Sequence, residues 1–283
     1  MRPDTSPRPA PSPGAGPATP PADPRAALLK DRNFRWMIGG SALSMLGDQF
    51  TLIALPWLVL QMTGDTLVLG TVLALISVPR ALFILIGGAL VDRHSPKQVL
   101  MITKYVNLVL LAALAGLVFA GTLSLWMVYA LSLGIGLATA FSIPAGTAMM
   151  PSVVARPQLQ AANGISLGLR QLTMFLGPLL AGLLIALFGA GDATGAATGT
   201  SAHANATGIG MAFALDALSF AVSAWTLSKV QPLAGLAGLS APTAAPQAVL
   251  ASVAQGLGHF WRDSELRTCF LYWSAIALFI MGP

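Results

Sequence analysis

Long apolar stretches, separated by short polar ones, dominate the chain. Each of the six complete stretches exceeds the roughly 20 residues that a helix needs to cross a hydrocarbon layer about 30 Å thick. The pattern therefore predicts an all-α protein, a polytopic membrane helical bundle with six transmembrane helices and a partial seventh that begins near Cys269. The six segments are residues 37–60, 67–91, 99–120, 123–146, 163–188 and 208–228.

The connections between these segments differ in length. Residues 61–66, 92–98 and 121–122 are tight links, and we expect such links to make consecutive helices antiparallel neighbours in a compact up-and-down bundle. The long connections are residues 147–162, 189–207 and 229–268.

Lysines and arginines occur at the segment ends on only one predicted side of the bundle. The connections on the opposite side, 61–66, 121–122 and 189–207, have none. Because basic residues near segment ends favour the cytoplasm, we expect a multi-pass protein of the inner (plasma) membrane with a cytoplasmic N terminus. The basic residues on that side are Arg25, Lys30, Arg32, Arg35, Arg93, Lys97, Arg156, Lys229, Arg262 and Arg267.

Four regions follow from this pattern. Residues 1–30 are rich in proline and predict a disordered cytoplasmic tail, and residues 31–228 form the six-helix region. Residues 229–268 form a cytoplasmic loop, in which 247–268 predict an amphipathic helix on the membrane surface or, alternatively, an ordinary linker helix. Residues 269–283 begin a seventh helix of about 15 residues, too short to cross the membrane.

Composition excludes several classes of protein. Hydrophobic residues make up 55% of the 283 and charged residues 9%, against about 25% charged in soluble domains. The net charge of +5 is scattered along the chain, which argues against a nucleic-acid partner. One cysteine excludes an intramolecular disulfide, and the three histidines lack metal-ligand spacing. We see no arrangement typical of an enzyme and expect no cofactor and no metal.

Three ionisable residues fall deep inside the apolar segments. Counted from the predicted cytoplasmic ends, Asp48, Arg80 and Asp216 lie at depths of about 16 to 18 Å. Charges at such depth are functional candidates, and we expect these three to face a central cavity on a substrate or proton pathway, with Asp48 or Asp216 taking up a proton. The alternative is that Arg80 only neutralises Asp48 in a helix contact. We interpret Arg170 and Lys104, nearer the cytoplasmic ends, as headgroup anchors.

The fifth segment contains the stretch LGPLLAG, with Gly177, Pro178 and Gly182. Glycine permits close approach of helices, and proline removes a backbone donor and bends a helix. These residues predict a bend that can serve as a hinge between two packings.

Several of these motifs carry a family resemblance. Gly88, Leu90, Asp92, Arg93, Lys97 and Leu100 stand at the spacing G-x-L-x-D-R-x-x-x-K-x-x-L, which resembles the signature loop of the major facilitator superfamily. LGPLLAG resembles the glycine-proline motif of its antiporters. Four further stretches are similar to the efflux branch that includes enterobactin and macrolide exporters: LGDQFTLIALPWLVLQMTG (46–64), AANG (161–164), LDALSFAVSA (215–224) and GLGHFWRDSELRT (256–268).

The resemblance implies a transporter of two six-helix halves in the lipid bilayer. Its central cavity would open to each side in turn and export a small amphipathic molecule, such as a drug or siderophore, in exchange for protons. Gly88, Asp92, Arg93 and Lys97 would form a cytoplasmic gate. The sequence departs from the family pattern at two points. Ser95 and Pro96 stand where the loop usually has glycine and arginine, which bears on the charge network of the loop, and the fourth segment contains no arginine, which bears on proton coupling.

A second half is absent from the sequence, so we expect a truncated form that lacks one wall of its site, or a homodimer that rebuilds the bundle. A membrane scaffold or receptor that does not transport is the alternative. It would explain the missing half but not the deep charges.

Overall fold

A computed structural model describes residues 24–93, 95–189, 200–233 and 262–281, and these ranges are almost wholly helical. A short 3-10 turn, Arg156–Gln158, separates the fifth and sixth helices. The helices are α1 (Pro24–Lys30), α2 (Arg32–Thr63), α3 (Thr66–Arg93), α4 (Pro96–Ala120), α5 (Leu125–Val153), α6 (Leu159–Gly189), α7 (Thr200–Lys229) and α8 (Ser264–Met281).

Six helices, α2 to α7, are long and apolar enough to cross a membrane, as the hydrophobic pattern predicts. Several extend beyond the apolar segments: α5 continues to Val153, so that much of the predicted connection 147–162 is helical. A helix need not end where its apolar residues do, because its backbone groups are already paired internally. Local signals end it instead, as at Gly64 and Gly121, which have φ of 65° and follow α2 and α4.

Two apolar clusters lie at opposite ends of the bundle. We call the end at which α2 begins the proximal end, and the other the distal end. The proximal cluster joins the start of α2 and α4 to the end of α3, α5 and α7. The distal cluster joins the end of α2 and α4 to the start of α3, α5 and α7. The helices therefore run alternately up and down, as expected.

The expectation that tight links make packed neighbours is wrong for two of the three links. α2 touches α3 only slightly, and α3 touches α4 only slightly, whereas α4 and α5 do pack. The extensive contacts are instead those of α2 with α7, α3 with α5, and α4 with α7. A short link brings helix ends together, but the small-residue faces decide packing. A Cβ on Gly136 of α5, for example, would clash with the backbone of Ile76 on α3.

The disordered tail predicted for residues 1–30 needs correction at its C-terminal end. The predictions for residues 247–283 fall partly outside the described residues. Residues 24–30 form α1, because Leu28, 2% exposed, inserts into the proximal cluster. The seventh segment, α8, begins at Ser264, before the predicted start at Cys269. Most of the amphipathic helix predicted at 247–268 lies outside the described residues.

Candidate functional site

A cavity of about 520 Å³ opens within the proximal half of the bundle. α5 makes few contacts with α2 or α6, whereas α2 and α6 pack together, so a gap remains between α5 and the α2–α6 pair. Side chains of α4 and α7 also line the cavity. The lining residues fall at positions 37–48 of α2, 100–107 of α4, 139–150 of α5, 163–170 of α6 and 220–227 of α7.

Asp48 lines this cavity, as its predicted role requires, and its side chain is exposed there. Hydroxyl and amide side chains line the same cavity, together with the apolar side chains of several methionines. Lining residues of these kinds include Ser41, Ser44, Thr139, Ser142, Asn163, Ser166, Met37, Met45, Met149 and Met150. A wall of this mixed character suits a molecule that has both apolar and polar parts.

Lys104 also lines the cavity, and its interpretation as a headgroup anchor is wrong. The side chain is only 6% exposed, and its Nζ donates a hydrogen bond to Ser44 Oγ at 3.3 Å. It lies 5.5 Å from the ring centroid of Phe220, within the range of a cation–π contact. The sequence does contain a signal for this placement: Leu100, Lys104, Asn107 and Leu111 share one helical stripe, and all four are buried.

Arg170, the other residue interpreted as a headgroup anchor, is exposed and lines the cavity from α6. Its anchoring at the headgroups stays a prediction. Asn163 and Ser166, seven and four residues earlier, line the cavity as well, so Arg170 continues a polar face of that helix. The helical spacing of these polar residues was visible in the sequence. The depth of Arg170 in the membrane, however, did not show which neighbouring helices this polar face meets.

Asp216, unlike Asp48, is enclosed in a helix contact. It is 1% exposed, is not a lining residue of the cavity, and accepts hydrogen bonds from Thr51 Oγ1 at 2.5 Å and Ser219 Oγ at 3.2 Å. The expectation that it faces the cavity is therefore wrong in this structure. These hydroxyl donors stabilise a polar group that would otherwise be costly to bury.

Small residues let α7 approach α2 closely enough to form this contact, which we call the α2–α7 seam. A Cβ on Gly47 would collide with Asp216 Oδ1 and Ser219 Oγ, and one on Gly40 would collide with Thr226. The seam comprises Gly40, Gly47 and Thr51 of α2 with Asp216, Ser219, Ser223 and Thr226 of α7.

Arg80 lies outside the cavity, contrary to the expectation that it faces it. Its side chain is exposed on α3, a helix that contributes no lining residue within the described part of the chain. Its charge nevertheless acts on Asp48, as does the charge of Lys104. Lys104 and Arg170, rather than Arg80, are therefore the cations that share the cavity with Asp48.

The predicted gate loop is described only in part. Gly88, Asp92 and Arg93 belong to α3, but their side chains lie outside the described residues. Lys97 donates hydrogen bonds from Nζ to the carbonyl of Ser228 at 3.2 Å and to that of Val230 at 2.6 Å. A cation at these carbonyls stabilises the C-terminal end of α7. Lys97 therefore attaches the loop to that end.

The glycines and the proline of LGPLLAG have different surroundings in the structure. Pro178 lies within α6, which continues without interruption from Leu159 to Gly189. A Cβ on Gly177 would collide with Gln49, so this glycine permits close contact between α6 and α2. Gly182 has open space around it within the described part of the chain.

No group of three or more side chains suited to a metal ion occurs among the described residues.

Comparison with known proteins identifies the family. The family model described as Major Facilitator Superfamily matches residues 37–283. Macrolide efflux protein A of Streptococcus pyogenes is 28% identical over 149 residues, which are 53% of this chain and 37% of that protein. Multidrug efflux pump Tap of Mycobacterium tuberculosis is 30% identical over 236 residues, which are 78% of this chain and 49% of that protein.

The protein named Tap in Mycolicibacterium fortuitum gives a similar result, with 30% identity over 232 residues, 78% of this chain and 50% of that protein. The chain thus spans about half the length, or less, of the curated relatives that it matches. No solved structure matches it significantly. The resemblance to an efflux branch that includes macrolide exporters is confirmed.

Proposed function

The chain belongs to the major facilitator superfamily, and from this premise we propose that it exports a small amphipathic compound, such as a drug, as a secondary transporter or as one half of such a transporter. The observation that supports this function is the cavity of about 520 Å³, where Asp48, Lys104 and Arg170 share a wall with hydroxyl, amide and methionine side chains. The relatives named for macrolide and multidrug efflux favour the same function.

We propose that the proximal end faces the cytoplasm. The basic residues of the connections lie on that side, and basic residues near segment ends favour the cytoplasm. The cavity occupies the proximal half of the bundle. A compound would therefore enter the cavity from the cytoplasm or from the inner part of the membrane.

Asp48 is the residue we propose for proton exchange. Its side chain is exposed in the cavity, where water and substrate can reach it, whereas Asp216 is 1% exposed and held by hydroxyls of the seam. A group that exchanges protons during a transport cycle needs such access. This assigns different roles to the two acids that the sequence treats alike, with Asp216 acting in the helix contact.

For the loop containing Gly88, Asp92, Arg93 and Lys97 we retain the role of a cytoplasmic gate. The described part of this loop supports the proposal only through Lys97, whose bonds to Ser228 and Val230 attach the loop to the end of α7. Movement at the gate would then be transmitted to the chain that follows α7.

Drug accumulation tests the proposed function. The protein is expressed in bacteria that lack their principal drug exporters, and intracellular ethidium and erythromycin are measured with and without collapse of the proton gradient. We expect lower accumulation in expressing cells and loss of that difference when the gradient is collapsed.

Two matched variants test whether the difference in drug accumulation depends on Asp48. Asp48→Asn should abolish the difference in accumulation, whereas Asp65→Asn should preserve it, because Asp65 is an exposed acid in the link between α2 and α3, outside the cavity. Accumulation that is the same with and without the protein would contradict transport of these compounds and favour the scaffold alternative.

A further inference from the structure

Four polar side chains that line the cavity are themselves buried. Ser44 of α2, Lys104 and Asn107 of α4 and Ser223 of α7 line the cavity, and we call this group the floor recess. None of the four side chains is more than 7% exposed. The recess therefore differs from the exposed wall around Asp48, because its polar groups have little access to solvent.

Lys104 supplies positive charge with unused hydrogen-bonding capacity. An ammonium group has three N–H donors, and within the described part of the chain one of them is directed to Ser44 Oγ at 3.3 Å. Phe220, 5.5 Å away, attracts the cation through the face of its ring. Neither neighbour carries a negative charge, so among the described residues no anion is bonded directly to this buried ammonium.

Ser223 gives an independent indication that the recess receives a ligand. Its side chain is 1% exposed, and its hydroxyl has no hydrogen-bond partner among the described residues. Buried polar groups are rarely left unpaired, because the lost hydration is not replaced. Ser223 and Lys104 line the same cavity, and each has a hydrogen-bond donor that no described acceptor fully uses.

The acids nearby leave the recess available to such a group. Asp48 lies one helical turn beyond Ser44 and acts on Lys104 through its charge, but its own side chain is exposed in the cavity. Asp216 is held in the α2–α7 seam by Thr51 and Ser219. Arg170 adds a second cation to the lining. Two cations and one acid thus line the described cavity, which favours an anionic ligand group.

We propose that the floor recess binds the carboxylate of a transported compound, with Lys104 as the charge partner and Ser223 as a further donor. The proposal rests on the proposed function, because it takes the cavity as the substrate site. It names the substrate class as amphipathic carboxylic acids or zwitterions. The carboxylate and Asp48 then compete for the charge of Lys104.

Binding of two matched probes tests this proposal. Pyrenebutyrate and its methyl ester share one apolar ring system and differ in the carboxylate. Binding of each to the purified protein is measured by pyrene fluorescence in maltoside micelles without phospholipid. Lys104→Met should weaken binding of pyrenebutyrate by about tenfold or more, since a charge-assisted hydrogen bond is lost, and should leave binding of the ester unchanged.

Two further variants sharpen the test. Asp48→Asn should strengthen binding of pyrenebutyrate, because the competing negative charge is removed. Lys30→Met should change neither probe, since Lys30 is an exposed lysine on α1 and does not line the cavity.

The outcomes separate this proposal from the proposed function. If Lys104→Met weakens binding of both probes equally, or of neither, the proposal that Lys104 recognises a carboxylate is overturned. Binding of the ester would still indicate a substrate cavity in that case. Displacement of pyrenebutyrate by added phosphatidylglycerol in the unmodified protein but not in Lys104→Met would assign the recess to a lipid phosphate and also overturn it. Failure of both probes to bind would overturn it and count against the proposed function as well.

Discussion

The two sides of α2 show how one helix can be sealed on one face and open on the other. Gly47 lies in the α2–α7 seam against Asp216, whereas its neighbour in sequence, Asp48, is exposed in the cavity. Consecutive residues of a helix point about 100° apart, so one step along the chain changes the environment completely. Each side presents one acid, Asp216 of α7 in the seam and Asp48 of α2 in the cavity, and the packing around each decides which is enclosed and which is exposed.

The difference arises from what faces each acid. In the seam, glycine removes the side chain that would keep the helices apart, and Thr51 and Ser219 supply hydrogen bonds to Asp216. On the cavity side, α5 contacts α2 only slightly, and Asp48 is exposed there. Burial with hydrogen bonds stabilises the bundle, and exposure without them permits exchange with solvent or ligand.

Filling the seam should have the largest effect. Gly47→Leu forces a side chain onto Asp216 and Ser219 and should destabilise the protein by about 4 kcal/mol or more, through overpacking and loss of the hydrogen bonds. Gly39→Leu is the control, because a Cβ there meets nothing within 4 Å. Unfolding by sodium dodecyl sulfate in mixed micelles measures both. Equal stability of the two variants would contradict a closely packed seam.

Removing each acid in turn compares the two sides directly. Asp216→Ala should cost about 3 kcal/mol, since it leaves a void and deprives Thr51 and Ser219 of their acceptor. Asp48→Ala should change the free energy of unfolding little, because that side chain is exposed in the cavity. The same mixed-micelle titration provides the measurement. A larger loss for Asp48→Ala would reverse the roles assigned here.

Thr51→Val tests the hydrogen bond of the seam while nearly preserving its shape. The variant removes one donor to the Asp216 carboxyl and should destabilise the protein by about 1.5 kcal/mol. Thr71→Val serves as the comparison, because Thr71 is exposed and its hydroxyl bonds only to the carbonyl of Leu67 in its own helix. If both variants shift the apparent melting temperature equally, the hydrogen bond from Thr51 to Asp216 contributes no more to stability than the bond of Thr71 within its own helix.

The smallest effect on stability is expected at Ser223, where the seam meets the cavity. Its hydroxyl has no partner among the described residues, so Ser223→Ala should change the free energy of unfolding by less than about 0.5 kcal/mol. Ser219→Ala, which removes a hydrogen bond to Asp216, should cost more. A marked destabilisation by Ser223→Ala alone would show that this hydroxyl is already paired within the protein.

The sequence predicted the spans and their alternation well, because crossing a membrane demands long apolar helices. It did not predict which helices pack together, since the short links pointed to chain neighbours, whereas the glycines at 40, 47 and 136 select other partners. Depth placed Asp48, Arg80 and Asp216 at one level but contained no information on direction. Lys104 was assigned to the headgroups for the same reason, although it is buried.

Composition and motif spacing by themselves determined that this chain is a membrane helical bundle of the major facilitator superfamily, because hydrophobic length and short motifs are local properties of the sequence. Only the tertiary structure decided which charges share the cavity. The direction in which a helix face turns depends on the small residues of several helices together, as Gly47 and Asp216 show. Where small residues bring two helices together, as at Gly47, an acid such as Asp216 is enclosed. Where the helices stay apart, as beside Asp48, the acid remains exposed in the cavity.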